Sequence, residues 1–138
     1  MAGGAAAQTL DDLKKDGANT DNVLTYGMGY GQQRYSPLKQ VDKSSVKRLV
    51  PVWNLSLDNP TGEQAQPLIY NGVMYVTDAK ATVAIDVESG KQIWKTPVDW
   101  PAEMTRVVCC GVSNKGPAIL GGRLFRTTLD AFVIALDM

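Results

Sequence analysis

Histidine is absent from the 138 residues. That removes the commonest metal ligand and the commonest general base, so a self-contained Ser-His-Asp triad and a His-rich zinc site are both excluded. Neither sign of charge is in excess, because 14 Lys+Arg balance 14 Asp+Glu, and no bulk field draws the chain to nucleic acid or anionic lipid. No apolar run reaches the roughly 18 residues that a spanning helix requires, so the sequence reads as not membrane-spanning. Cysteine occurs only twice, at the adjacent positions Cys109 and Cys110. The opening MAGGAAAQ has neither the basic n-region nor the apolar h-region of an intact signal peptide. It reads either as the remnant of a trimmed signal or as a flexible terminus.

What is present favours a folded chain rich in turns. Hydrophobic residues make up 44%, and 13 Gly and 7 Pro punctuate the chain, a balance of globular rather than disordered chains. TLDDLKKDG at 9–17 carries a short peripheral helix signal, with Thr9 as N-cap, acidic residues in the first turn, lysines later and Gly17 as the stop. NVLTYGMGYGQQRYSP at 22–37 has neither helical nor strand period and reads as an ordered loop packed by Tyr26, Tyr30 and Tyr35. Leu49–Leu55 looks like a strand, with Pro51 on an edge or at a bulge.

From residue 58 onward the chain becomes short β-runs separated by turns. Pro67–Tyr70, Asn71-Gly72 and Val73–Thr77 form a hairpin signal, because Asn-Gly supplies the positive φ values of a tight turn. Runs at Thr82–Val87 and Gln92–Thr96 follow, and the pattern then restarts with Pro117–Leu120, Gly121-Gly122, Arg123–Thr127 and Phe132–Met138. QPLIYNGVMYVT at 66–77 lies over GPAILGGRLFRT at 116–127 with an offset of 50, and VAIDV at 83–87 lies over IALDM at 134–138 with an offset of 51. The second copy therefore has one extra residue between the matched blocks. Repeats of this length with several strands each are how a β-propeller is written, since each blade exposes a face that only its neighbours bury. The counterpart of Trp94 would fall past Met138, so the chain is expected to be a piece of a longer one. Its organisation is expected to be a tail and short helix over 1–21 and a partial propeller over 22–138.

AIDVESGKQIW at 84–94 resembles the tryptophan-docking motif of quinoprotein propellers. Asp86 and its turn would satisfy backbone groups at the corner, Gly90 would take a conformation that other residues resist, and Trp94 would bury its ring between blades. RVVCCGVSNKGPAI at 106–119, TYGMGYGQQRYSPLKQV at 25–41 and TTLDAFVIALD at 127–137 closely resemble the N-terminal part of the methanol and ethanol dehydrogenases that use pyrroloquinoline quinone (PQQ). The resemblance covers roughly residues 22–138. It implies an all-β fold, namely the first one and a half to two blades of an eight-bladed quinoprotein propeller, preceded by a short helix and an ordered loop. It also implies a periplasmic enzyme that oxidises a primary alcohol to an aldehyde and passes electrons to a cytochrome c. In that family Ca2+ or a lanthanide ion polarises the quinone C5 carbonyl, and an Asp removes the alcohol proton as hydride passes to C5. Those ligands and that Asp are expected beyond Met138, so no catalytic or metal-binding residue is expected here. The 138 residues alone should then be inactive and bind PQQ poorly. A homodimer is left open.

The resemblance also assigns cofactor-binding roles. It implies a disulfide between Cys109 and Cys110 lying against one face of the flat quinone. Consecutive Cα atoms are about 3.8 Å apart, shorter than the usual disulfide span, so such a bond forces an unusual turn and needs an oxidising compartment. Two reduced cysteines packed as small apolar residues are the alternative. Lys115 falls where the family usually has an Arg on the cofactor, and three PQQ carboxylates suit a cation there, although Lys offers a point charge rather than a fork. The family also has a Glu at the cofactor's rim. Ungapped spacing puts Gln64 there, with Glu63 one step earlier, and a turn-surface role remains open for both. A cofactor-free β-propeller binding scaffold would explain the repeats equally well, but not the adjacent cysteines or the VSNKGPAI and TTLDA stretches. A relative acting on a polymer or sugar alcohol is a third reading. Blades without their neighbours should leave an open sheet edge and exposed apolar faces.

Overall fold

The structure, a computed structural model, describes residues 7–109 and 111–138. The chain begins with helix α1 (Leu10–Lys15), whose N-terminus is closed by a capping box. The Thr9 hydroxyl accepts from the Asp12 N–H at 3.2 Å, and the Asp12 carboxylate accepts from the Thr9 N–H at 2.8 Å. Two orphan donors of the first turn are thereby satisfied. Gly17 does not stop the chain's helical path, because a 3-10 turn, Asp16–Ala18, carries it onward.

The 22–37 loop is ordered, but not by its tyrosines. Tyr26, Tyr30 and Tyr35 are 44%, 62% and 69% exposed. Polar groups hold the loop instead. The buried Asp16 carboxylate accepts from the N–H groups of Leu24 and Thr25 at 2.9 and 3.0 Å and from the Thr25 hydroxyl at 2.7 Å. Gln66 accepts from the Gly27 N–H at 2.9 Å and donates to the Thr25 carbonyl at 3.3 Å. With its backbone groups satisfied this way, the loop has no need of aromatic anchors.

Four strands then form an antiparallel sheet in the order β1 (Leu68–Tyr70), β2 (Val73–Thr77), β3 (Ala81–Asp86), β4 (Gln92–Pro97). Asn71 and Gly72 sit at φ 49° and 77°, the two positive values that a two-residue hairpin of this hand needs. A four-residue helical turn, α2 (Met104–Val107), follows, unanticipated from the sequence, and leads to a three-stranded antiparallel sheet, β5 (Ala118–Leu120), β6 (Arg123–Thr127), β7 (Val133–Asp137). The second sheet repeats the first in register: Leu68 faces Tyr75 as Ala118 faces Phe125, and Val73 faces Asp86 as Arg123 faces Asp137. The extra residue of the second copy lies in the β6–β7 turn, because Thr77 faces Thr82 whereas Thr127 faces Val133.

β3 is buried on both sides, and its alternation feeds two cores. On one face Ala84 joins Leu24, Leu68 and Tyr75 against Ile119 and Leu124 of the second sheet, with Trp94 packed alongside. Burial of each of these Leu and Ile side chains contributes about 1.5–3 kcal/mol, so this seam binds the two repeat units. On the other face Ala81, Val83 and Ile85 are covered by Trp53, Leu55 and Leu57. Residues 49–55 are thus not the expected strand. Among the described residues they join neither sheet, because the segment lies across the face of the first sheet and holds on by alternate side chains, and Pro51 has no N–H to offer a ladder. Trp53 donates its indole N–H to the Val87 carbonyl at 2.9 Å. Gly90, at φ +70°, would put a Cβ 2.4 Å from that indole. The ring that requires a glycine there is therefore Trp53, while Trp94 packs 6.0 Å from Tyr75.

Candidate functional site

The loop between α2 and β5 carries most of the residues singled out from the sequence. Asn114, only 6% exposed, organises it. Its side-chain oxygen accepts from the Thr77 hydroxyl at 2.7 Å and from the Gly116 N–H at 2.9 Å. Its amide donates to the Thr127 carbonyl at 2.9 Å. Thr77 ends β2 and Thr127 ends β6, the same position in the two repeats. One side chain therefore spans the seam between the units at the ends of matching strands. Gly116 follows at φ +113°, and a Cβ there would lie 3.2 Å from the Gln66 carbonyl, so both backbone shape and the close approach of the first unit call for glycine.

Lys115 stands between these two anchored residues with its side chain exposed. Its ammonium donates to the side-chain oxygen of Gln64. Glu63 turns elsewhere and accepts from the side-chain amide of Asn59. The structure thus brings Lys115 and Gln64 together across the seam, and does not bring Glu63 to them. Among the described residues Lys115 makes no ion pair; the pairs there are Lys15–Asp11 and Arg123–Asp137. An exposed ammonium held by a neutral amide is a ready partner for a carboxylate. Cys109 is exposed, and no cysteine among the described residues is a free thiol. Cys110, and with it the expected pairing, lies outside the described residues.

Two polar residues at the seam, Asn114 and Arg126, escaped the sequence reading. Arg126, 3% exposed, reaches from β6 to the β2–β3 turn of the first unit. It donates to the Ala81 carbonyl at 2.6 Å, the Asp78 carbonyl at 2.8 Å and the Thr82 hydroxyl at 3.2 Å. Burial pushes its pKa down, opposed by the charge of Asp78, and the carbonyls supply what bulk water no longer can. A signal for it did exist: the repeat places Arg126 over Val76, a charge where the first copy has an apolar residue. Asn114 had no such marker. No cluster of three or more His, Cys, Asp or Glu able to hold a metal occurs among the described residues, and no helix among them is long and apolar enough to cross a membrane. The arrangement sets an exposed ammonium, bonded to a neutral amide, at a seam between two β-units.

Residues 24–138 match the family described as PQQ glucose/ethanol/alcohol dehydrogenase, β-propeller domain. The 1-butanol dehydrogenase (quinone) of Thauera butanivorans is 41% identical over 132 residues, covering 94% of this chain and 21% of that protein. The quinoprotein ethanol dehydrogenase of Pseudomonas putida is 40% identical over 139 residues, covering 99% of this chain and 22% of that protein. The chain thus spans about a fifth of the length of these relatives. Among solved structures, a europium-containing methanol dehydrogenase superposes with a TM-score of 0.84 at 30% identity, over 92% of this chain and 23% of that one. The quinohemoprotein alcohol dehydrogenase from Comamonas testosteroni gives 0.84 at 31% identity, over 92% and 19%.

Proposed function

Since the chain belongs to the family of PQQ glucose/ethanol/alcohol dehydrogenase β-propeller domains, we propose that it supplies one wall of the cofactor site of a periplasmic, PQQ-dependent alcohol dehydrogenase. The reaction is oxidation of a primary alcohol to an aldehyde, with electrons passed to a cytochrome c. The observation that carries this reading is Lys115, an exposed ammonium whose partner among the described residues is the neutral Gln64 amide. It sits on a loop anchored to both β-units.

The residues present fit the group. PQQ is flat and carries three carboxylates, and Lys115 offers it a cation with no acidic partner among the described residues, while the Gln64 amide can meet a carboxylate or carbonyl at the rim. A Cys109–Cys110 disulfide would add a firm surface for the ring face, a role supported by the absence of a free thiol among the described residues. When bound, PQQ supplies the two-electron acceptor, and a Ca2+ or lanthanide ion supplies the Lewis acid beside it. In this reading the described residues bind and orient the cofactor, and the 138 residues alone turn over no alcohol.

Titration with PQQ of the full-length protein to which this chain contributes its wall, followed by quenching of tryptophan fluorescence, tests the assignment. Saturable binding should weaken about tenfold in Lys115→Met, the loss of one charge-assisted contact. Absence of saturable binding, or equal binding by Lys115→Met, would overturn it. Turnover by the unsupplemented or metal-loaded chain would contradict the division of labour.

A further inference from the structure

We propose that Asn114 is the positioning residue of this site, a clamp that sets where Lys115 stands by reading the same strand end in both β-units. The inference rests on the cofactor-site reading above for its consequence, but its mechanism is independent of any ligand. A single buried amide uses three of its four hydrogen-bonding positions, and each contact fixes a different object. The bond from the Thr77 hydroxyl ties it to β2 of the first unit, and the bond to the Thr127 carbonyl ties it to β6 of the second. The bond from the Gly116 N–H folds the loop back on the amide, so that Lys115 is held between two fixed residues. Gly116 in turn rests against the Gln66 carbonyl, two residues from the Gln64 that receives the Lys115 ammonium.

Physically, this makes the distance between Lys115 and Gln64 a function of how the two units sit on each other. The loop touches both sides of the seam through one planar group with a fixed separation between its donor and its acceptor. A shift of one unit against the other breaks a bond to Asn114 before it reaches the lysine. A group that must meet a rigid, planar anion benefits from such bracing, because small misplacements of a binding cation cost affinity steeply.

The test makes the position of Lys115 readable without a cofactor. Gln64→Glu places a carboxylate where the amide now meets Lys115, and a water-soluble carbodiimide then joins the two side chains as an amide with loss of water, detected as a linked peptide by mass spectrometry. Adding Asn114→Ala should lower the yield of that link about tenfold, because proximity, not reactivity, limits it. Adding Thr77→Val, which deletes only the hydroxyl bonded to Asn114, should lower it by a smaller factor. A core-trimming control, Ile119→Val, loosens the same seam without touching the clamp and should leave the yield within about twofold of the parent. A yield in Asn114→Ala within twofold of the parent overturns the proposal, as does an equal drop in the Ile119→Val control. Loss of the link in Asn114→Ala together with equal PQQ binding by the full-length protein and its Lys115→Met variant would sink the cofactor reading and leave the clamp standing.

Discussion

Replacement of Gly90 by alanine should cost far more than the same change at Gly72, although both glycines have positive φ. Gly72 sits at φ +77° with no atom within 4 Å of a new Cβ, so Gly72→Ala meets only the left-handed penalty of an L-residue, about 1 kcal/mol. Gly90 sits at φ +70°, and there the new Cβ would fall 2.4, 2.5 and 2.7 Å from Cδ2, Cγ and Cε3 of Trp53. These atoms lie at the root of the indole, so the whole ring must swing aside. The swing breaks the bond from the indole N–H to the Val87 carbonyl, worth about 1 kcal/mol, and uncovers part of the second core, worth about 1–2 kcal/mol more. Gly90→Ala should therefore be destabilising by about 3 kcal/mol, with about 2 kcal/mol of it absent when Trp53 is already alanine. Urea unfolding followed by intrinsic fluorescence and by circular dichroism gives both numbers. Equal costs for Gly90→Ala and Gly72→Ala, or no coupling to Trp53, would refute the claim that this segment is held on the sheet by the indole.

Further outcomes follow from other parts of the molecule. Arg126→Met strips the donors from three buried acceptors of the first unit and should lower stability by about 2–4 kcal/mol; an unchanged thermal midpoint would show that the guanidinium is not what joins the units. The Ser44 and Ser45 hydroxyls and N–H groups hold the Asp42 carboxyl at about 2, below its ordinary 3.8. Because the folded value is depressed, the favourable contribution of this turn is complete above about pH 4 and fades as pH falls through about 2. An NMR titration should find the Asp42 midpoint there, and a midpoint near 4 would mean the turn is open in solution. If Cys109 and Cys110 are joined, the intact mass before reduction is two hydrogens lower than after it; identical masses would return the pair to the reduced, apolar-packing reading.

The β-units were legible because their signals are local. Asn71-Gly72 and Gly121-Gly122 mark turns by conformation alone, and the strands between them were read to within a residue or so at each end. Where the reading failed, the deciding contact was distant in sequence. Leu49–Leu55 has strand-like alternation, yet its apolar side chains cover β3 from above, and no local pattern separates a strand that pairs from one that lies flat. The tyrosines of the 22–37 loop promised a small aromatic core, while the loop is held by Asp16 and Gln66, polar residues whose partners cannot be seen along the chain. At the candidate site the sequence offered both Gln64, by ungapped spacing, and Glu63, one residue earlier. The fold separates them, since only Gln64 faces Lys115. Asn114 carried no periodicity, spacing or charge anomaly, and its role emerges only once Thr77 and Thr127 are side by side.

Duplicated units in one chain face a hazard of their own: a unit can stack on the wrong copy, in the same molecule or in a neighbour still folding. The unequal residues Val76 and Arg126 work against that error. A guanidinium emerging from β6 meets the Asp78 and Ala81 carbonyls at the β2–β3 turn, and the matching β6–β7 turn is one residue longer. Two second units laid together would strand a buried cation, and two first units would lack one. The buried guanidinium thus makes the contact between the two units directional, since its acceptors stand on the first and its donors on the second.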